Sequence, residues 1–224
     1  MIDIRTFETR ALLMQAAAER IFQGLRQGVL QRGEAFAALS GGSTPEPAYR
    51  ALAAQTYHWQ HVTFMLVDER FVPPSHPDSN EGMLRRALAP ALAAGAKLLP
   101  MYSDGTSLDG AATRADALYK DKPIDIALMG MGGDGHTASW FPESPELAAA
   151  LDRNNPRTVI SVNAPGATGS SQRLTLTRSA FYRASAVALL ITGEDKRSLL
   201  LDQARGDLPV DSLFDDWSEA LWAP

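Results

Sequence analysis

The stretch "IDIALMGMGGDGHTASWFP", residues 124–142, begins as an apolar run and turns abruptly into glycines, an aspartate and a histidine. Its first seven residues read as a buried strand, too short and too continuously apolar for an amphipathic surface helix. Gly130, Gly132 and Gly135 satisfy the spacing G-x-G-x-x-G, which after a strand suggests a dinucleotide fingerprint. That motif needs a long helix behind it, and Pro142 with the following "FPESP" interrupts any helix within two turns. The next strand candidate, "TVISVN" (158–163), also lacks the terminal acid that would hold a ribose hydroxyl. The other reading is a turn whose glycines aim backbone amides at a ligand and leave room beside it. His136 then projects into that room as a general base, with Asp134 two residues away to fix its tautomer.

Working outward, the same design recurs. "AFAALS" (35–40) is a short apolar run ending in "GGSTPEP", and "VTFMLVDE" (62–69) is a strand ending in acids. "AVALLIT" (186–192) leads into "GEDKRSLLLDQAR" (193–205), a helix. Helices are expected over 7–31, with Leu12, Leu13, Ile21, Leu25 and Val29 as its apolar positions and Gly33 as its stop, over 80–92, and over 107–120 behind a Ser107 cap. "KLLPMY" (97–102) and "RLTLT" (173–177) add strand candidates. Alternating strands and helices predict an α/β fold: a Rossmann-like, mostly parallel sheet with helices on both faces, as one domain over 1–224. Ligands in such sheets collect at the carboxyl ends of the strands, where four polar clusters fall here.

Composition narrows the function classes. The 224 residues include 21 Lys and Arg against 26 Asp and Glu, a net charge of −5, with no clustered basic patch. That disfavours nucleic acid. No apolar run is long enough to span a bilayer, and "MIDIRTFETR" lacks the apolar core of a signal peptide. With no cysteine, disulfides, thiolate metal sites and thiol nucleophiles are excluded, which suits a reducing cytoplasm. His58, His61, His76 and His136 have no metal-ligand spacing, so no metal is expected.

Three further segments carry chemistry. In "LSGGSTPEPAYRAL" (39–52), Gly41 and Gly42 permit a tight turn, and Ser43 and Thr44 offer amides and hydroxyls at a helix start, a ready anion site. It lacks the spacing of a nucleoside-triphosphate loop. "VDERFVPPSHPDSN" (67–80) puts Asp68, Glu69 and Arg70 at a strand end, before a proline-stiffened loop. Arg173 and Lys196 suit a phosphate, and Lys196 opposes the dipole of its helix unless an anion sits nearby. "NAPGATGSSQ" (163–172) reads as a mobile surface loop. Ser43, Asp68 and His136 mimic a nucleophilic triad, but Ser43 is not in G-x-S-x-G, so covalent serine catalysis is not expected.

Taken together, "LSGGSTP", "VDERFVP" with "DSN", "GMGGDGHTASWFP", "RLTLT" and "GEDK" resemble, in order and spacing, the 6-phosphogluconolactonases, over roughly residues 8–205. The glucosamine-6-phosphate deaminases of the same superfamily are similar too, but they carry Asn-Glu-Pro where this chain has Trp140-Phe141-Pro142. The tail "DDWSEALWAP" fits less clearly. The resemblance implies hydrolysis of a small phosphorylated sugar lactone, 6-phospho-D-glucono-1,5-lactone, without a cofactor, in the oxidative pentose phosphate pathway. It implies a cytoplasmic monomer or weak homo-oligomer. His136 is then the base, oriented by Asp134; Gly41, Gly42, Ser43, Thr44, Arg173 and Lys196 hold the phosphate. Arg70 serves the lactone end or the phosphate, and Asp68 a sugar hydroxyl or the loop itself. A sugar-phosphate deaminase or isomerase and a non-catalytic sugar-phosphate sensor are the alternatives.

Overall fold

The computed structural model describes residues 4–202, 207–213 and 219–224. In chain order the elements are β1 (Ile4–Thr6), α1 (Arg10–Arg32), β2 (Ala35–Leu39), α2 (Glu46–Ala53), β3 (Val62–Leu66), β4 (Asp68–Arg70), α3 (Asn80–Ala87), α4 (Ala89–Ala93) and β5 (Lys97–Leu98). They continue with α5 (Leu108–Tyr119), β6 (Ile126–Met129), α6 (Leu147–Leu151), β7 (Val159–Asn163), β8 (Gln172–Leu176), α7 (Arg178–Phe181), β9 (Val187–Thr192), α8 (Glu194–Leu201) and β10 (Glu219–Ala223).

Seven strands form a parallel sheet in the order β1-β10-β9-β6-β2-β3-β5. Helices flank it, with α1 packed across β2, β6 and β10. The central strands explain themselves. β2 (AFAAL) and β6 (IALM) are buried at every position, as strands covered on both faces must be. α1 starts where the Thr9 hydroxyl accepts from the Leu12 amide and stops at Gly33, whose φ of 80° is left-handed. Leu13, Ile21 and Leu25 form its buried face, whereas Leu12 is exposed.

A second, antiparallel sheet in the order β4-β8-β7 departs from the expected single sheet. The run 62–69, expected as one strand, divides at Val67. β3 pairs with β2 in the large sheet and β4 with β8 in the small one. Val67 belongs to both: its amide donates to Leu39 O (3.0 Å) and its carbonyl accepts from Leu176 N (2.9 Å). Apolar residues up to Val67 suit the large sheet's core. Asp68 and Glu69 need hydrogen-bond donors, which the small sheet and α3 supply. The strands expected at 158–163 and 173–177 both belong to this small sheet.

Other boundaries also move. The helix expected over 80–92 divides at Leu88, where Pro90 cannot donate to the preceding turn. "KLLPMY" keeps only Lys97–Leu98 as strand. No helix follows His136 until Leu147, so the dinucleotide geometry is absent. Instead Thr137 and Trp140 form a tight bridge. β1 and β10 are two strands that periodicity did not mark; β10 lies between β1 and β9. The last residues of the helix expected over 193–205, from Gln203 on, and positions 214–218 of the tail lie outside the described residues. No helix among the described residues is long and apolar enough to cross a membrane.

The small sheet is fixed to α3 by Glu69. This fully buried carboxylate accepts from the amides of Arg70 (2.7 Å), Asn80 (2.8 Å) and Glu81 (2.7 Å) and from the Ser79 hydroxyl (2.9 Å). It thereby fills orphan donors at the start of α3. Burial pushes its pKa up to about 7 against the pull of those four donors. Glu69→Ala leaves the donors buried without partners, and urea unfolding should show a loss of about 3 kcal/mol. Wild-type stability in that variant would show that Glu69 is not what anchors the small sheet.

Candidate active site

The carboxyl ends of β2, β6 and β9 open on one side of the large sheet, and β4 and β8 wall it off. The result is a cleft of about 280 Å3. Nine of the residues expected at the site line it together: Gly41, Gly42, Ser43, Thr44, Asp68, Arg70, His136, Arg173 and Lys196. Asp134 does not. It lies behind the imidazole, in an adjoining cavity of about 440 Å3 that also includes His136.

One end of the cleft is built for an anion. Gly41 to Thr44 cross from β2 to α2 with their backbone amides given no acceptor among the described residues. α2 has no side-chain cap either. Its amino end therefore presents unfilled donors and the positive end of its dipole. Gly42 holds φ at 95°, a left-handed value that a side chain would strain.

Three cations converge on the same cleft. The register of β4 on β8 places Arg70 directly opposite Arg173. Like charges so paired repel: burial lowers the Arg173 pKa most, Asp68 pulls it back up, Arg70 lowers it further, and Glu69 and Asp78 oppose. Arg173 is only 4% exposed, yet no carboxylate forms an ion pair with it among the described residues. Its Nε donates to Ser170 O (2.6 Å) and its Nη2 to Thr168 O (2.8 Å). That leaves three of the five guanidinium protons free. The expected loose loop at 163–172 is thus a hairpin connection tied to Arg173 rather than free chain. Lys196 likewise has no ion pair among the described residues, and burial draws its ammonium below the ordinary value while Asp134 opposes the shift. A buried charge without an ion pair is costly, and a bound dianion would offset that cost for Arg173 and draw on the half-buried Arg70 and Lys196 beside it.

Asp68 is the one carboxylate lining the cleft, and it is already engaged. The Ser139 hydroxyl donates to its Oδ2 (2.6 Å) and Asn80 Nδ2 to its Oδ1 (3.3 Å). Asn80 turns its other face to Arg70, accepting from Nη1 at 2.5 Å; the same Nη1 donates to Asp78 O (3.2 Å). Arg70 Nε is buried with no partner. Asp68 thus braces the segments that carry Asn80 and Ser139 while lining the cleft. Asn80 and Ser139 are site residues that the sequence reading missed. "DSN" and "HTAS" contain them, but nothing in their spacing says that they meet Asp68. Asn80 also explains Gly41, since a Cβ there would overlap its side-chain amide.

His136 is held on two sides. Its Nδ1 lies 2.5 Å from Asp134 Oδ1, and its backbone amide donates to the same oxygen at 3.1 Å. A carboxylate at Nδ1 favours the proton there and leaves Nε2 as the basic nitrogen. Burial lifts the Asp134 pKa, but the hydrogen bonds and charge of His136 outweigh it, and the carboxyl sits below its ordinary value. The Phe141 ring covers the imidazole, 4.2 Å between centroids and tilted by 33°. A Cβ at Gly132 would overlap the imidazole, so this glycine makes room for the base. Ala138, next to the cleft, carries a left-handed φ of 50°, the kind of local strain that collects at functional sites. Among the described residues no group of three His, Cys, Asp or Glu side chains could hold a metal ion.

The chemistry available is therefore an imidazole base, an arginine pair and an anion cradle around one cleft. Comparison with known proteins agrees. Residues 8–222 match the family model described as glucosamine-6-phosphate isomerases/6-phosphogluconolactonase. A 6-phosphogluconolactonase from Pseudomonas putida is 38% identical over 217 residues, covering 95% of this chain and 89% of the relative. One from Mesorhizobium japonicum is 40% identical, covering 86% of this chain and 81% of the relative. Among solved structures, the 6-phosphogluconolactonase from Shewanella baltica superposes with a TM-score of 0.92 at 29% identity, covering 100% of this chain and 98% of the other. From motif order, architecture and these matches, the chain belongs to the glucosamine-6-phosphate isomerase/6-phosphogluconolactonase family.

Proposed function

We propose that this enzyme hydrolyses 6-phospho-D-glucono-1,5-lactone to 6-phosphogluconate, the lactone-opening step of the oxidative pentose phosphate pathway. The observation that carries the reading is the cross-strand pair Arg70 and Arg173, which forms no ion pair among the described residues and faces the same cleft as the Asp134-held imidazole. A cleft with three cations and one engaged carboxylate takes a dianion even though the whole chain is acidic. The relatives named above are 6-phosphogluconolactonases, which supports the same substrate class, and the reading needs no cofactor.

The steps follow from the residues. The Gly41–Thr44 amides, Arg173 and Lys196 hold the phosphate, and this remote binding energy orients the carbonyl. His136 Nε2 takes a proton from water as its oxygen attacks C1. Negative charge develops on the carbonyl oxygen, and Arg70, held at its Nη1 by Asn80 and Asp78, stabilises it. Collapse of the intermediate breaks the bond from C1 to the ring oxygen. The imidazolium returns its proton to that oxygen, which becomes the 5-hydroxyl. Trp140 is buried with its Nε1 bonded to Leu176 O (2.8 Å), and Phe141 faces the imidazole. The position where deaminases carry a carboxylate is thus apolar, which favours the lactonase over the deaminase.

Lactone generated in situ and followed above its spontaneous opening provides the test. His136→Ala should lower kcat by about a hundred- to ten-thousand-fold, with binding of 6-phosphogluconate retained. Unchanged turnover would remove His136 from the mechanism, and binding without turnover in the wild type would make the protein a sensor. Lys196→Ala should raise KM about tenfold, equivalent to roughly 1.4 kcal/mol, and leave kcat nearly unchanged; an unchanged KM would place the phosphate elsewhere.

The pH dependence also has a defined sign. Asp134 stays ionised well below the range where an imidazole titrates, because its pKa is lowered. Asp134 should therefore contribute no ionisation to the kcat/KM profile at or above the ordinary carboxylate range. An ionisation there that disappears in Asp134→Asn would contradict the assignment.

A further inference from the structure

We propose that Phe141 is a positioning residue that couples the phosphate grip to the base, through a stack of Arg173, Phe141 and His136. This rests on the lactonase reading. The Asp134 contact fixes the imidazole at one edge, Nδ1, and does not by itself set the tilt of the ring. The Phe141 ring, 4.2 Å away and tilted by 33°, covers the imidazole face and removes that freedom. Phe141 is itself held by its flanks. Trp140 before it is anchored to Leu176 O, and Pro142 after it limits the backbone. The Arg173 guanidinium lies 5.7 Å from the Phe141 ring centroid, within cation–π range.

Arg173 is also tied to the carbonyls of Thr168 and Ser170. The segment through Thr168 walls the cavity behind His136, together with Phe141. One guanidinium thus touches the anion cleft, the loop and the ring that packs on the base. A phosphate drawing on its free protons fixes Arg173, and Arg173 fixes Phe141 against His136. The binding energy of a group remote from the carbonyl then sharpens the placement of the proton acceptor. A phenyl ring serving only as filler would be replaced by leucine with little effect on the base.

The test separates these roles. Phe141→Leu should lower kcat on the order of tenfold and keep KM within about twofold, whereas Phe141→Tyr, which keeps the aromatic face, should restore kcat. Arg173→Lys keeps the charge but loses the planar group, and should lower kcat as well as raise KM, unlike Lys196→Ala. Wild-type kcat in Phe141→Leu, or a pure KM effect in Arg173→Lys, would overturn the coupling. A second readout does not need turnover. Inorganic phosphate titrated into the wild type should shift the His136 imidazole resonances, and Phe141→Leu should halve that shift at saturating phosphate. An equal shift in both proteins would overturn the proposal. If the wild type opens no lactone, the lactonase reading fails by itself, and the titration still decides the stack.

Discussion

Val67 hydrogen-bonds to two sheets at once, and the site depends on that handover. Its amide remains in the parallel sheet, on Leu39 O, while its carbonyl receives Leu176 N from the antiparallel one. One residue later the chain has left the large sheet. That places Asp68, Glu69 and Arg70 over the carboxyl ends of the parallel strands instead of extending one of them. The same register sets Arg70 against Arg173. The two guanidinium groups repel, and the nearby Asp68, Glu69 and Asp78 offset part of that repulsion. The backbone geometry that ends one sheet and begins the other therefore sets two cations side by side in the cleft, where an anion can join them.

Around that pair the polar groups divide into those that are satisfied and those that are not. Asp68, Asn80, Ser139 and Glu69 are bonded to one another or to nearby backbone and form the frame. The amides of Gly41–Thr44, the free protons of Arg173 and the Lys196 ammonium have no intramolecular acceptor among the described residues. Of these groups only Arg173 is buried, where unpaired protons cost free energy; the others are half-buried or exposed and give up only water to a ligand. Their concentration at one end of a cleft suits an anion. His136 stands apart from the cradle, with Nδ1 occupied by Asp134 and its ring face covered by Phe141. Binding and proton transfer thus use different donors, as they must if the phosphate is not to quench the base.

Much of this was legible in the sequence because it is local. β2, β6 and β9 are short apolar runs, and the polar loops after them announce the cleft. The Ser107 cap was readable for the same reason. What was not legible depends on contacts between distant segments. Residues 62–69 carry no period change at Val67, so the switch between sheets is visible only once β8 lies beside β4. β1 and β10 are short edge and near-edge strands whose pairing decides their state. Asn80 and Ser139 carry ordinary loop chemistry, and their importance comes from Asp68, more than ten residues away in both cases. Phe141 reads as an ordinary aromatic until the backbone turn at 137–140 folds it onto the imidazole.

In the proposed mechanism a cationic cleft recognises a phosphate remote from the carbonyl that the His136-activated water attacks. The most direct measurement compares kcat/KM for 6-phosphogluconolactone and unphosphorylated gluconolactone, each corrected for spontaneous opening. Charge-assisted hydrogen bonds to a buried dianion contribute about 1.5–3 kcal/mol each. The account therefore predicts a preference of at least about a thousandfold for the phosphorylated lactone, roughly 4 kcal/mol. Equal values for the two lactones would contradict it, because the arginine pair and the amide cradle would then have no part in substrate recognition.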